Sequence, residues 1–164
     1  MSTKFFVLIK IFIGSFEIKI DDQTIAIIQH LRDGRTSFKE IAAALNLSEN
    51  TVRARVNRLR EEGVLEISGL VDPEAIPGHR IVMVGVKLAT MDLVKKGKEF
   101  SLLRGVVSVA VVTGRFDLIL VVLLKEGFGL LEFYTEDVAR IEGVQSVETF
   151  VVYKGYNLKV PYIL

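Results

Sequence analysis

The chain has no cysteine and only two histidines, His30 and His79, in 164 residues. The first absence excludes disulfides, thiolate nucleophiles and cysteine-ligated zinc, and it fits a reducing cytoplasm. The second leaves little imidazole chemistry: His30 falls in a helical stretch and His79 beside Pro77 and Gly78, where solvated or structural roles fit each. Also missing are a histidine pair at helical spacing, an acidic cluster at ligand spacing and a phosphate-binding glycine loop. No enzyme, no cofactor and no metal site is therefore expected, and Gly114 and Gly143 read as isolated turn glycines.

Charge of one sign is lacking too. Lysine plus arginine total 21 against 20 aspartates plus glutamates, so any nucleic-acid signal must be local. Nor is there a long apolar run. Residues 5–13 are apolar except for Lys10, but a span takes roughly 20 such residues. No small-residue cleavage site follows, and Glu17 and Lys19 come quickly, so residues 1–20 are expected to form an atypical apolar arm or strand and no membrane partner is expected. Against these absences, half of the residues are apolar and the mean hydropathy is +0.40. That is high for a chain in water and points to surface buried between subunits.

Three short helices are predicted first. Asp22 stands as an N-cap before Ile25, Ile28 and Leu31, giving a helix over 22–31 that ends at Asp33-Gly34. Ser37 and Glu40 form a capping box before Ile41, Ala42 and Leu45. Asn46 and Leu47 make a turn, and Ser48 caps a third helix whose inner stripe is Val52, Val56 and Leu59 and whose stop is Gly63. Residues 21–63 thus read as a winged-helix-like helix-turn-helix domain. Residues 64–79 read as a linker strand (64–71) and a connection marked by Asp72-Pro73 and Pro77-Gly78, where the domain boundary is expected.

Over 80–164 the pattern becomes strand 80–89, helix 92–103, strand 106–113, turn 114–117, strand 118–124, helix 128–141 and strand 147–153. The fold class is α+β, and this order is a ferredoxin-like β-α-β-β-α-β unit with two helices on one face of an antiparallel sheet. Its central strands are apolar on both faces, so a second sheet must cover the open one. A second copy of the chain, packed about 10 Å away, is the simplest supplier, which predicts a homodimer.

The third helix carries the local charge. Between Ser48 and Arg60 four arginines stand against Glu49 alone, a net +3. With Val52, Val56 and Leu59 inside, Asn50, Thr51, Arg53, Ala54, Asn57 and Arg58 lie on or beside the outer face. Arginine forks onto guanine, asparagine pairs with adenine, and threonine or alanine meets a thymine methyl, so the face suits a major groove of double-stranded DNA. Ser48 and the free N–H groups at both helix starts suit phosphates. Arg55 lies nearer the buried side and is assigned to packing or phosphate anchoring. The competing reading is a solvated helix of a three-helix bundle.

Glu40-Ile41-Ala42, Leu47-Ser48, Thr51-Val52, Arg55-Val56 and the run 59–64 resemble the Lrp/AsnC family of feast/famine transcription regulators. The likeness continues through Val112-Thr113-Gly114-Arg115-Phe116-Asp117, similar to the family's Gly-x-aromatic-Asp turn, and through Gly143-Val144 and Glu148-Thr149. It covers roughly residues 21–154 and departs at the apolar first fifteen or so residues and at 160–164. The resemblance implies a homodimer or a ring of dimers such as an octamer. It also implies a small-molecule effector, an amino acid or a relative of one, held in the ferredoxin-like (RAM) domain.

Thr113, Gly114, Phe116, Asp117 and Thr149 are the positions carried over for that effector. The plainer reading is a hairpin turn with Asp117 bonding its own backbone and Phe116 in the core. A cytoplasmic, sequence-specific regulator is the expected function, and a small-molecule-sensing or oligomeric scaffold without specific DNA recognition is the alternative.

Overall fold

A computed structural model describes residues 20–164, and the arm expected over 1–20 lies, but for Ile20, outside the described residues. The chain divides between Ile67 and Ser68 into two compact units. The divide falls inside the connection expected over 64–79, so most of that segment packs with the second unit.

In the first unit α1 spans Asp22–His30, a 3-10 turn Leu31–Asp33 extends it, α2 spans Phe38–Ala44 and α3 spans Glu49–Glu61. The N-cap of α1 is Asp21, one residue earlier than expected; its carboxylate accepts the Thr24 amide at 2.8 Å. The inward stripe differs accordingly. Ile25 is 45% exposed, while Thr24 and Ile27 are buried. Thr24 hid in the sequence because its polarity masks a core position, and its hydroxyl is satisfied by Asp21 at 2.7 Å. The α2 capping box forms as expected: the Ser37 amide donates to Glu40 Oε2 at 2.7 Å, and the Glu40 amide donates to Ser37 Oγ at 3.2 Å.

The turn between α2 and α3 is set by Asn46, at φ 54°, a left-handed conformation that asparagine tolerates. The end of α3 is a Schellman motif, with the Val64 amide donating to the Leu59 carbonyl and the Gly63 amide to the Arg60 carbonyl. Ile27, Ile41, Ala42, Val52 and Val56 form the buried cluster, closed by Leu31, Phe38, Leu45, Leu47 and Leu65.

The strand expected over 64–71 is much shorter. Only β1, Leu70–Val71, forms, and it pairs antiparallel with β6, Val160–Pro161, near the chain end. Gly69 has no side chain to pack, and Ile67 before it stays 50% exposed, so the preceding segment finds no face to bury and no strand to pair with.

The main sheet holds β2 (Arg80–Leu88), β3 (Val106–Val111), β4 (Leu118–Leu124) and β5 (Val144–Val151) in the order β3-β4-β2-β5, all antiparallel. This is ferredoxin-like order. The fourth long strand begins three residues earlier and stops two earlier than the expected 147–153, because Gly143 at φ 80° turns the chain directly into it. Helix α4 is Leu93–Ser101. The second crossover is irregular: an α turn Leu130–Glu132 passes into a π turn Phe133–Asp137 and a 3-10 turn Val138–Arg140.

Residues 82, 84, 86 and 88 of β2 and 118, 120, 122 and 124 of β4 point under the helices, where Phe100, Phe128 and Phe133 complete a buried core. The opposite face is covered in part by the chain itself. Ile81 and Leu123 are buried there with Val160, and Leu158 and Leu164 pack against them. The expectation that another copy must cover the whole face is therefore corrected: the apolar chain end closes one part, because leaving it in water would forgo about 25 cal/mol for each Å² of apolar surface.

Candidate functional site

The outer face of α3 is assembled as its sequence requires. Ser48 Oγ accepts the Thr51 amide at 3.1 Å and lies 2.8 Å from Thr51 Oγ1, so the helix start is capped and both hydroxyls are held together. Ser48, Asn50, Arg53, Ala54, Asn57 and Arg58 are exposed and Thr51 is half-buried, while Val52, Val56 and Leu59 are buried. One surface carries all seven.

The two arginines on that surface are not loose. Arg53 donates to Glu49 Oε1 at 2.6 Å, and its guanidinium lies 5.3 Å from the centre of the Phe38 ring on α2. Arg58 Nε donates to Glu62 Oε1 at 2.7 Å, an interaction that raises its pKa. Both are i,i+4 pairs open to solvent, so each guanidinium keeps donors free for another acceptor.

Arg55 is built differently. One terminal nitrogen donates to Asp21 Oδ1 and to Thr24 Oγ1, both at 2.6 Å, and the other donates to Gln23 at 3.1 Å. Arg55 therefore joins the middle of α3 to the start of α1. The hydrogen bond from Arg55, then those from Thr24, hold the Asp21 carboxyl far below the usual carboxylate range. Glu49, Glu62 and Asp21 were not singled out as partners in the sequence. The usable signals were the i,i+4 spacings and the Asp-x-x-Thr spacing of residues 21–24.

In the second unit the turn residues do not converge. Thr113 and Gly114 are exposed at the tip, with Gly114 at φ 123°, a conformation favouring glycine. Phe116 lies across Gly85 on the open sheet face, where a Cβ would meet its ring carbons at 2.7 Å, and it meets Phe150 edge to face at 5.8 Å. Asp117 is a clamp: its carboxylate accepts the Leu88 amide at 2.8 Å and Lys87 Nζ at 2.8 Å. The backbone bond from Leu88 is the larger cause of its lowered pKa, and Lys87 adds to it. Thr149 sits opposite Val84 on the helix-covered face, with its hydroxyl against Tyr134. It thus stands on the other side of the sheet from Phe116. Arg115 is paired with Glu148 at 2.6 Å.

Among the described residues no group of histidines and carboxylates is placed to hold a metal ion, and no helix is long and apolar enough to cross a membrane.

Known proteins match both halves of this arrangement. The family description "Winged helix-turn-helix DNA-binding" matches residues 20–66, and "Lrp/AsnC ligand binding domain" matches residues 81–159. The HTH-type transcriptional regulator PH0140 of Pyrococcus horikoshii is 32% identical over 140 residues, covering 84% of this chain and 89% of that protein. The crystal structure of PH0061 shares the fold with a TM-score of 0.70 at 22% identity, covering 85% of this chain and 96% of that one. The regulator NMB0573 of Neisseria meningitidis, solved as a complex with L-Met, has a TM-score of 0.63 at 22% identity, with 88% and 95% covered. A reading head built on a capped basic helix, followed by a ligand-binding domain over a ferredoxin-like sheet, places this chain in the Lrp/AsnC family of DNA-binding HTH-type transcriptional regulators, which are not enzymes.

Proposed function

We propose that the chain works as a cytoplasmic homodimer, or a ring of such dimers, that reads two DNA half-sites with paired α3 helices under the control of an amino acid. The observation that carries this reading is the outer face of α3: a capped helix start with Asn50, Arg53, Ala54, Asn57 and Arg58 all exposed on one side. One such helix reaches too few base pairs for a specific site, so a twin about 34–36 Å away along the DNA completes it.

The twin's seat is the uncovered part of the open sheet face. Met83, Ile119 and Val121 are half-buried there and Phe150 is 42% exposed, an apolar patch suited to sheet-on-sheet packing. In the DNA complex Arg53, Arg58 and Asn57 read base edges or hold phosphates, Thr51 and Ala54 meet apolar edges, Ser48 holds a phosphate, and Arg55 braces α3 against α1. The effector reading rests on the matched ligand-binding domain and on the L-Met complex of NMB0573. Thr113, Gly114, Phe116, Asp117 and Thr149 are its proposed positions. Because Phe116 and Thr149 lie on opposite faces, an effector touching both sets needs residues from a second copy.

The test is a footprint of the full chain on its own upstream DNA, followed by binding of Arg53→Ala to that site and to its base-substituted variants. The expected result is a two-fold-symmetric footprint and a loss of about 1–3 kcal/mol of discrimination at one base position in each half-site. Equal weakening on every sequence removes Arg53 from base reading, and absence of any footprint with only steeply salt-dependent binding overturns the regulator's specificity.

A further inference from the structure

A cavity of about 190 Å³ lies within the second unit, between the 3-10 turn Pro73–Ala75, the start of β2 and the chain between β5 and β6. Ile81, Val152 and Leu158 line it, and they belong to the apolar cluster under the chain end. Its walls are fastened by Glu74, which accepts the Gly155 amide at 2.9 Å and pairs with Lys154, and by His79, whose ring contacts the Pro77 carbonyl at 2.9 Å and the Tyr162 hydroxyl at 3.3 Å. Those groups are spent on structure.

Two cations on the rim are not. Arg80 and Lys159 line the cavity, and neither side chain makes an ion pair or a hydrogen bond with a described residue. Glu74, which also lines the cavity, is paired with Lys154 and does not serve them. Asp72 uses one carboxylate oxygen on the Glu74 amide at 3.0 Å and leaves the other unengaged. An apolar floor with two unpaired cations at its edge fits a small carboxylate with a short apolar body. The volume is below the roughly 300 Å³ at which drug-sized sites begin, so the occupant is small.

We propose that this cavity is a binding site for a small apolar carboxylate, separate from the turn at 113–117. Arg80 and Lys159 hold the carboxylate, Ile81 and Leu158 take the aliphatic part, and Asp72 favours an ammonium where the ligand has one. The site stands one residue beyond β1, whose two residues pair with β6 and through which the chain runs on from the reading unit. An occupant therefore braces the β1–β6 pair. The proposal goes beyond the DNA-reading function and does not depend on it.

The test is calorimetric titration of the full chain with L-leucine, with 4-methyl-2-oxopentanoate and with L-leucinamide, which keeps the body but lacks the carboxylate. The two acids are expected to bind and the amide not to, and L-leucine binding tighter than the oxo acid assigns the ammonium to Asp72. Lys159→Gln and Arg80→Gln are expected to weaken binding at least about tenfold. Lys159→Arg is expected to leave it intact. Both glutamine positions are exposed, and thermal melts verify that the variants fold. Arg80 also borders a neighbouring groove with Lys125, so Lys159→Gln is the more exclusive of the two. Equal binding by wild type and Lys159→Gln, or no binding by either acid at millimolar concentration, overturns the site. DNA binding measured without any carboxylate is expected to be unchanged in every variant, so failure here is distinguishable from failure of the regulator's reading.

Discussion

Ile27, Ile41, Ala42, Val52 and Val56 form the buried cluster of the reading unit, whereas thirteen residues, among them Phe100, Phe128 and Phe133, are buried under the helices of the sheet unit. The small unit compensates with polar fastenings: three side-chain N-caps, the Ser37–Glu40 box and the Arg55 bridge to Asp21 and Thr24. The sheet unit has polar fastenings too, such as Asp117 on Lys87 and the Leu88 amide, but sets them around a larger core of cross-strand aliphatic packing. The contrast follows from size, because a unit of fewer than fifty described residues buries too small a fraction of its surface to depend on apolar packing alone. It also suits their tasks. A head whose outer face must stay polar for a nucleic acid has less apolar surface to spend on a core.

Several substitutions sharpen or break that contrast. The largest effect is expected in the sheet unit, where Phe100→Ala opens a cavity in the core and costs about 3–5 kcal/mol. Urea unfolding followed by tyrosine fluorescence reads it, since the described tyrosines all lie in this unit. A cost below about 1 kcal/mol contradicts the dependence on apolar packing. Next comes Ser37→Ala, which removes one side of the α2 capping box and is expected to cost about 0.5–2 kcal/mol in the head, read by helical circular dichroism. If this cap loss lowers the sheet unit's midpoint as much as the head's, the two units do not unfold independently.

The smallest and most diagnostic effect is with pH. Asp21 and Asp117 both have pKa values held below the ordinary 3.8, Asp21 chiefly by Arg55 and Asp117 chiefly by the Leu88 amide. A depressed folded-state pKa contributes stability that is fully present above the ordinary value and is lost as pH falls through the folded one. The stability that these two groups contribute is therefore expected to be lost only below about pH 3.8, and neither contributes to any change at neutral pH. Asp21→Asn is expected to flatten the acid slope of the head alone; a flattening in the sheet unit as well removes the assignment.

The helix-turn-helix was legible because its signals are local. Ser37 with Glu40, Ser48 with the stripe of Val52, Val56 and Leu59, and Gly63 at the stop each act within a few residues, where spacing alone dictates the geometry. The ferredoxin-like order was legible for a related reason, since β2 carries no charge from Ile81 to Val86, β4 is aliphatic throughout, and an amphipathic helix and a further strand stand between them. The stripe of α1 was misjudged because Thr24 is buried by virtue of a hydrogen bond that composition does not reveal. The short β1 was overextended because its partner, β6, lies about ninety residues away. At the site, exposure of Arg53 and Arg58 followed from helical periodicity, but their glutamate partners depend on rotamers.

By itself, the sequence determined the identity and order of the elements, the capped basic helix and the apolar character of both sheet faces, because these depend on hydrophobic period and backbone capping. Tertiary structure alone decided three things. It turned Arg55 into a brace between α1 and α3, it spent Asp117 on Lys87 and the Leu88 amide while parting Phe116 from Thr149, and it folded the chain end over Ile81 and Leu123 to leave only part of the open face uncovered. Each pairs residues about thirty or more positions apart, and which charge or apolar side chain meets which at that range is settled by how the sheet and helices pack, not by spacing along the chain.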